Sequence, residues 1–200
     1  VPTGSETPFV LDMATSVVPI GKIALFEKAN KEIPLGWGAD SNGVITSSPT
    51  EVRAGGALLP LGGSDILRGY KGYGLAVLVD ILSGVLSGSS FGSQVGKITT
   101  DKPGAGVGHF LGAIHIQSFR PLAAFYEDVQ SLLCEIKESP KALGQDRIFI
   151  HGEKETEREK QFLQDGVPVL AETIESLISS GKKINVPFNL APVRAADLSL

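Results

Sequence analysis

The sequence predicts a mixed α/β chain that contains no Rossmann half, and three observations carry that prediction. Short apolar runs of strand type, at residues 7–13, 107–116 and 147–150, alternate with longer stretches of helical period. Residues 61–88, LGGSDILRGYKGYGLAVLVDILSGVLSG, form a polar, glycine-rich loop that runs directly into an apolar helix with no strand before it. Two glycine series invite comparison with a dinucleotide loop, and both fail its requirements. GYGLAV at 72–77 lacks the third glycine. Gly104, Gly106 and Gly108 stand between polar TTDKP and strand-like HFLGAIHI, where a Rossmann loop needs a strand before and a helix after.

Taken in order, TPFVLDM at residues 7–13 places adjacent apolar residues after a proline and reads as a short buried strand ending at Asp12. Thr15 or Ser16 caps a helix with Pro19 in its first turn and an apolar face of Ile20, Ile23 and Ala24, extending to about Ala29. At this strand-to-helix junction Asp12 has two readings, an open backbone approached by a cofactor or a carboxylate bonding nearby amides. Residues 36–62 lose the helical period and hold Ser-Asn-Gly and Ser-Ser-Pro turns, with Trp37 as a packing anchor.

From Leu75 the apolar positions recur at Val79, Leu82 and Leu86, while Ala76, Val77, Leu78 and Ile81 fill the other faces. That pattern predicts a core helix buried nearly all round, in which Asp80 requires a partner. Its first turn is approached by Arg68, Gly69, Tyr70, Lys71, Gly72 and Gly74. Two readings fit there: a phosphate or carboxylate held by the helix end and the lysine, or a glycine-rich turn with Lys71 solvated.

Residues 107–116 alternate as a strand, with Phe110, Ile114 and Ile116 on one face and His109, Leu111, Ala113 and His115 on the other. The two histidines lie roughly 20 Å apart along such a strand and cannot share one metal ion. After Ser118 and Pro121, an amphipathic helix carries Leu122, Phe125, Val129 and Ile136 and ends at Ser139 and Pro140. The strand at 147–150 opens into HGEKETEREK, a charged helix start. A last helix follows Pro168, with Leu170, Ile174, Leu177 and Ile178 inward and Gly181 as its stop.

The chain has 200 residues, 42% of them hydrophobic and 20% charged, enough for a sizeable core. Its net charge of −4, with no basic cluster beyond Lys182 and Lys183, argues against nucleic acid or an anionic membrane as principal partner. A single cysteine, Cys134, rules out an intrachain disulfide or cysteine-rich metal site and suits a cytoplasmic setting. No segment reads as transmembrane, and no metal site is expected. The start at Val1, without methionine, basic n-region or apolar h-region, leads to the expectation that the chain begins inside a longer protein.

These residues resemble the type-2 malate/L-lactate dehydrogenase family of nicotinamide-dependent oxidoreductases, whose relatives include ureidoglycolate and sulfolactate dehydrogenases and cyclic ketimine reductases. The matching text runs almost end to end: FVLDMATSVV followed by GKI, IPLGWGAD, LPLGG, GYKGYGLAVLVDILSGVLSG, GHF before a strand, and RIFIHGEKETERE. The resemblance implies a mainly antiparallel sheet with surrounding helices, a nicotinamide-binding fold distinct from Rossmann, NAD or NADP as cofactor, and a homodimer. It maps cofactor contacts to Asp12, Met13 and Ala14, to Tyr70 and Lys71, and to Gly152, Glu153 and Lys154. It maps substrate to Ile20 and Gly21, where the family usually has Arg-Gly or His-Gly.

The family's proton-transferring histidine and a substrate-binding arginine lie in a segment upstream of where Val1 aligns, and His109, His115 and His151 do not match it. The catalytic residue is therefore unassigned within the chain, with Lys22 as the candidate, although some relatives carry aspartate at that position. The organisation implied is a cofactor-binding domain at 1–150 and a C-terminal helical segment at 151–200 that packs on an N-terminal domain outside this chain. The expected activity is hydride transfer between NAD(P)H and a small 2-keto acid such as oxaloacetate or pyruvate. The alternatives are a non-catalytic nucleotide-binding or dimerisation module, a relative acting on ureidoglycolate, sulfolactate or a cyclic ketimine, and a phosphate-ester enzyme using the Lys71 loop. That last class lacks a GxxxxGK[ST] run or carboxylate cluster.

Overall fold

A strand forms only where a second segment accepts its hydrogen bonds, and in the computed structural model that condition is met, among the described residues, in one small sheet. The structure describes residues 1–96 and 104–189. The chain groups into two compact units, one of Asp12–Ile114 and the other of Val1–Leu11 with the chain from His115 onward.

In the first unit, α1 (Ile20–Lys28) follows Pro19, which stands at the N-cap with extended backbone, so the helix begins without a side-chain cap from Thr15 or Ser16. Three two-residue strands, β1 (Gly38–Ala39), β2 (Ile45–Thr46) and β3 (Ala57–Leu58), form an antiparallel sheet in the order β2-β1-β3. Gly38 pairs with both Thr46 and Leu58. Asp40 closes the β1–β2 turn by accepting the amides of Asn42 at 2.8 Å and Val44 at 2.9 Å. Those bonds, that to Val44 foremost, hold its carboxyl below the ordinary aspartate range. Ser48 caps α2 (Pro49–Arg53) through the amide of Glu51.

The core of this unit gathers Val18, Ile23, Ile33 and Val52, with Val17, Phe26, Trp37 and Leu58 packed against it, and Ile23 is fully buried. Trp37 meets Phe26 edge-on at 5.4 Å and so serves as the packing anchor its sequence context suggests. The expected mixture of helix and antiparallel sheet is present, with a sheet much smaller than the strand patterns implied.

Helix α3 (Tyr70–Asp80) and the π-helical turn that continues it, Ile81–Val85, correct the expectation of a helix buried all round. Within α3 only Gly72 is buried, and Leu75, Leu78, Val79 and Ile81 are about half exposed. Apolar content on every face states how much a helix gains from burial but not which element covers it. Asp80 finds the partner its position required, the amide of Gly92 at 2.9 Å. Gly74 lies in mid-helix, and nothing stands within 4 Å of where a Cβ would be. Gly74→Ala should therefore stabilise the protein by roughly 0.5–1 kcal/mol. Thermal melting checks this, and a lower melting temperature would contradict the open placement.

In the second unit, α4 (Leu122–Glu138), α5 (Glu153–Asp165) and α6 (Ala171–Lys183) form where periodicity predicted them. Gly181 falls inside the last turn of α6 instead of ending it. The buried Thr3 ties the N-terminal segment together, donating its hydroxyl to the Thr7 carbonyl at 2.9 Å, while Gln130 of α4 donates to the Thr3 carbonyl at 3.1 Å. The three sequence-predicted strands at 7–13, 107–116 and 147–150 are not strands here. None of these segments forms a ladder; isolated backbone bonds, such as those from Phe9 to the Val1 carbonyl and from Val10 to the His151 carbonyl, stand in place of strand pairing.

Candidate active site

The residues expected to hold a cofactor fall into two groups, one in each unit. In the unit Asp12–Ile114, Ser16 and Pro60 form an antiparallel bridge. The Val17 amide donates to the Leu59 carbonyl at 3.0 Å, and the Leu61 amide donates to the Thr15 carbonyl at 2.8 Å. The other side of Leu61 lies against Gly72, where a Cβ would stand 2.0 Å from the Leu61 carbonyl oxygen and 2.6 Å from its nitrogen. Only a residue without a side chain lets α3 sit this close. The backbone of Leu61 thus links the segment carrying Asp12, Met13 and Ala14 to the first turn of α3 carrying Tyr70 and Lys71.

All five of these residues are exposed. Among the described residues no ion pair engages Asp12 or Lys71. The loop before α3 uses part of its own donor capacity, since Gly69 donates its amide to Ser64 and Lys71 donates its amide to Arg68, each at 3.0 Å. What α3 offers an anion is therefore the Lys71 ammonium and the positive end of the helix, without those two amides. Ile20 and Gly21 open α1; Ile20 is exposed, and the space beside Gly21 is clear for 4 Å. The Lys22 ammonium sits 5.0 Å from the centre of the Trp37 ring. That cation–π placement contributes about 0.5–1 kcal/mol at an exposed site.

In the other unit the HGEKE turn is fixed from several directions. Gly152 has φ 99°, and a Cβ there would meet the Pro8 carbonyl at 3.1 Å and Val10 at 3.3 Å. Glycine is required on both counts. Val10 donates its amide to the His151 carbonyl at 3.1 Å, and the Thr156 hydroxyl donates to the Gly152 carbonyl at 2.8 Å. The Glu153 carboxylate accepts the Ile150 amide at 3.0 Å and pairs with Lys137 of α4 and, at 3.4 Å, with Arg147. Arg147 and Lys154 stand 4.2 and 4.4 Å from the Phe149 ring centre. A pocket of about 430 Å³ adjoins the turn, lined in part by Thr7, Phe9, Cys134, Lys137 and His151.

Burial opposes charge on Glu153, but the Lys137 pair, the Ile150 amide and Arg147 outweigh it and hold the carboxyl below the usual glutamate range. A carboxyl depressed in the folded state contributes stability above its unfolded pKa and loses it as pH falls through the folded value. Glu153→Gln should therefore melt below the wild type at neutral pH, and the gap should close as pH drops below the ordinary value of 4.5. Melting curves across that range check this; a gap independent of pH would show that the charge carries no stability.

Sequence reasoning did not find the Lys137 and Arg147 partners of Glu153. A signal was present in the spacing of Arg147, Glu153 and Glu157, because the two carboxylates share a helix face at i and i+4 and Arg147 reaches Glu157 at 2.8 Å. His109 is exposed, and His115 pairs its Nδ1 with the Ser118 hydroxyl at 3.0 Å. Among the described residues, no group of three or more His, Cys, Asp or Glu could hold a metal ion. No helix among them is long and apolar enough to cross a membrane.

The model of the malate/L-lactate dehydrogenase family matches residues 1–178. Malate dehydrogenase of Pyrococcus horikoshii is 46% identical over 182 residues, covering 90% of this chain and 50% of that protein. The NAD(+)-dependent ureidoglycolate dehydrogenase of Escherichia coli is 31% identical over 182 residues, covering 89% and 49%. The crystal structure of malate dehydrogenase from Entamoeba histolytica superposes with a TM-score of 0.84 at 28% identity, over 95% of this chain and 54% of that one. The chain spans about half the length of the curated relatives it matches.

Proposed function

The chain belongs to the malate/L-lactate dehydrogenase family, and from that membership we propose an NAD(P)-dependent 2-hydroxyacid dehydrogenase that interconverts a small 2-keto acid and its 2-hydroxy acid. The observation that carries this reading is the exposed Lys71 ammonium at the start of α3, tied through Gly72 and Leu61 to the exposed segment of Asp12, Met13 and Ala14. This donor set fits a nicotinamide dinucleotide. An exposed ammonium beside a helix N-terminus suits its negatively charged groups, the Tyr70 phenol is exposed, and open backbone at 12–14 suits an amide-bearing ring.

The bound nicotinamide supplies the hydride, and the protein's part is to bind, orient and keep water out. Lys71 and Tyr70 would hold the cofactor at the start of α3, beside Asp12, Met13 and Ala14, and the family resemblance assigns a further contact to the turn of Gly152, Glu153 and Lys154. Ile20 and Gly21 present the substrate surface, where an apolar isoleucine takes the place of the family's usual cation or imidazole. The fold that holds the cofactor is of a non-Rossmann kind, supported by the antiparallel sheet and by glycines 104, 106 and 108 leading into chain without helix. The exposed Leu163, Leu170 and Leu177 support packing of the C-terminal helices on a further domain, and the family resemblance leads us to propose a homodimer in the cytoplasm.

A histidine outside these residues serves as proton donor in this reading. Residues 1–200 alone should then turn over oxaloacetate or pyruvate negligibly; substantial turnover would assign the proton to this chain, with Lys22 and His151 the first residues to replace. The reading as a whole is tested by assaying the full-length protein with NADH and NADPH against oxaloacetate, pyruvate, a sulfonated 2-keto acid and a cyclic ketimine, and with ureidoglycolate in the oxidative direction. Turnover with a 2-keto acid is expected, and inactivity on the whole panel would overturn it.

A further inference from the structure

Resting on that reading, we propose that Glu153 is a positioning residue which sets the cofactor-facing turn at Gly152 through Lys137, and does not itself touch the cofactor. Its side chain is only 16% exposed. One carboxylate oxygen pairs with Lys137 of α4; the other accepts the Ile150 amide at 3.0 Å and faces Arg147 at 3.4 Å. Its own amide donates to the Ile150 carbonyl at 3.0 Å. A carboxylate so occupied has little acceptor capacity left for a ribose hydroxyl or a carboxamide.

What these bonds do is join three pieces of the unit at one point. Lys137 lies on α4, Arg147 and Ile150 precede the turn, and Glu153 opens α5. The turn is held independently on its other side, where Val10 donates to His151 and Gly152 stands 3.1 Å, at its absent Cβ, from the Pro8 carbonyl. With both sides fixed, the Gly152 backbone and the Lys154 ammonium keep one orientation, and the cofactor meets a preorganised surface. Removing either partner of the Lys137–Glu153 pair loosens the same side, so the effects of the two substitutions should not add.

The experiment is a double-mutant cycle in the full-length protein, read by KM for NADH and NADPH, by kcat and by melting temperature. Glu153→Gln and Lys137→Met should each raise the coenzyme KM about fivefold with kcat nearly unchanged. The double variant should be no worse than either single one, and Lys137→Arg should restore most of the loss. If Glu153→Gln raises KM while Lys137→Met leaves it unchanged, the turn is not set through Lys137 and the inference is overturned. A fall in melting temperature with KM unchanged also overturns it, leaving the pair as structural support alone. A wild type that uses neither coenzyme fails differently, since it removes the dehydrogenase reading before the variants are compared.

Discussion

Lys71→Met is expected to weaken NADH or NADPH binding by the full-length protein roughly tenfold or more, the loss that removal of a charged hydrogen bond of about 1.5–3 kcal/mol implies. Methionine keeps most of the aliphatic stem and removes the ammonium. Lys71 is exposed and, among the described residues, forms no ion pair, so the melting temperature without ligand should barely change. Because the Gly69 and Lys71 amides are already bonded within the loop, the side chain carries more of the anion's binding than a helix end with free amides would require. Titration of coenzyme into the variant checks this. Unchanged affinity would return the loop to a glycine-rich turn with a solvated lysine.

Gly72→Ala should produce the largest loss of stability among the glycine substitutions in α3. Its Cβ would stand 2.0 Å from the Leu61 carbonyl oxygen and 2.6 Å from the Leu61 nitrogen, and backbone cannot give way as a flexible side chain does. Either α3 or Leu61 must move, and the bond from Leu61 to Thr15 is strained with it. Overpacking of this kind costs about 1–3 kcal/mol, of which the better helix propensity of alanine offsets less than about 1 kcal/mol. A melting temperature lower by roughly 2–8 °C follows for a protein of this size. Coenzyme affinity should fall as well, since the shift separates residues 12–14 from Lys71. Equal behaviour of Gly72→Ala and Gly74→Ala would show that the approach of α3 to Leu61 is unimportant.

Helices were legible in the sequence wherever local chemistry decides them. The period of Leu122, Phe125, Val129 and Ile136 and the stop at Ser139 and Pro140 define α4 without reference to anything distant. The strand at 107–116 was not legible in the same way, because alternation in GHFLGAIHI records a wish to pair, and pairing depends on a partner the pattern does not name. The same reason separates the composition of α3 from its exposure. At the site, the glycines at 72 and 152 could be read as special, but the neighbours that require them, Leu61 and Pro8, lie 11 and 144 residues away. Glu153 stood out as part of a helix start, whereas its capture by Lys137 is a contact between α4 and α5 that no local pattern encodes.

Hydride transfer is tested most directly by supplying the full-length protein with NADH or NADPH carrying two deuterium atoms on the reactive carbon of the nicotinamide, together with oxaloacetate or pyruvate. Deuterium is expected on the carbon that bears the new hydroxyl group, one atom for each coenzyme oxidised. Product without deuterium at that carbon, or coenzyme left unoxidised by every 2-keto acid offered, would contradict it.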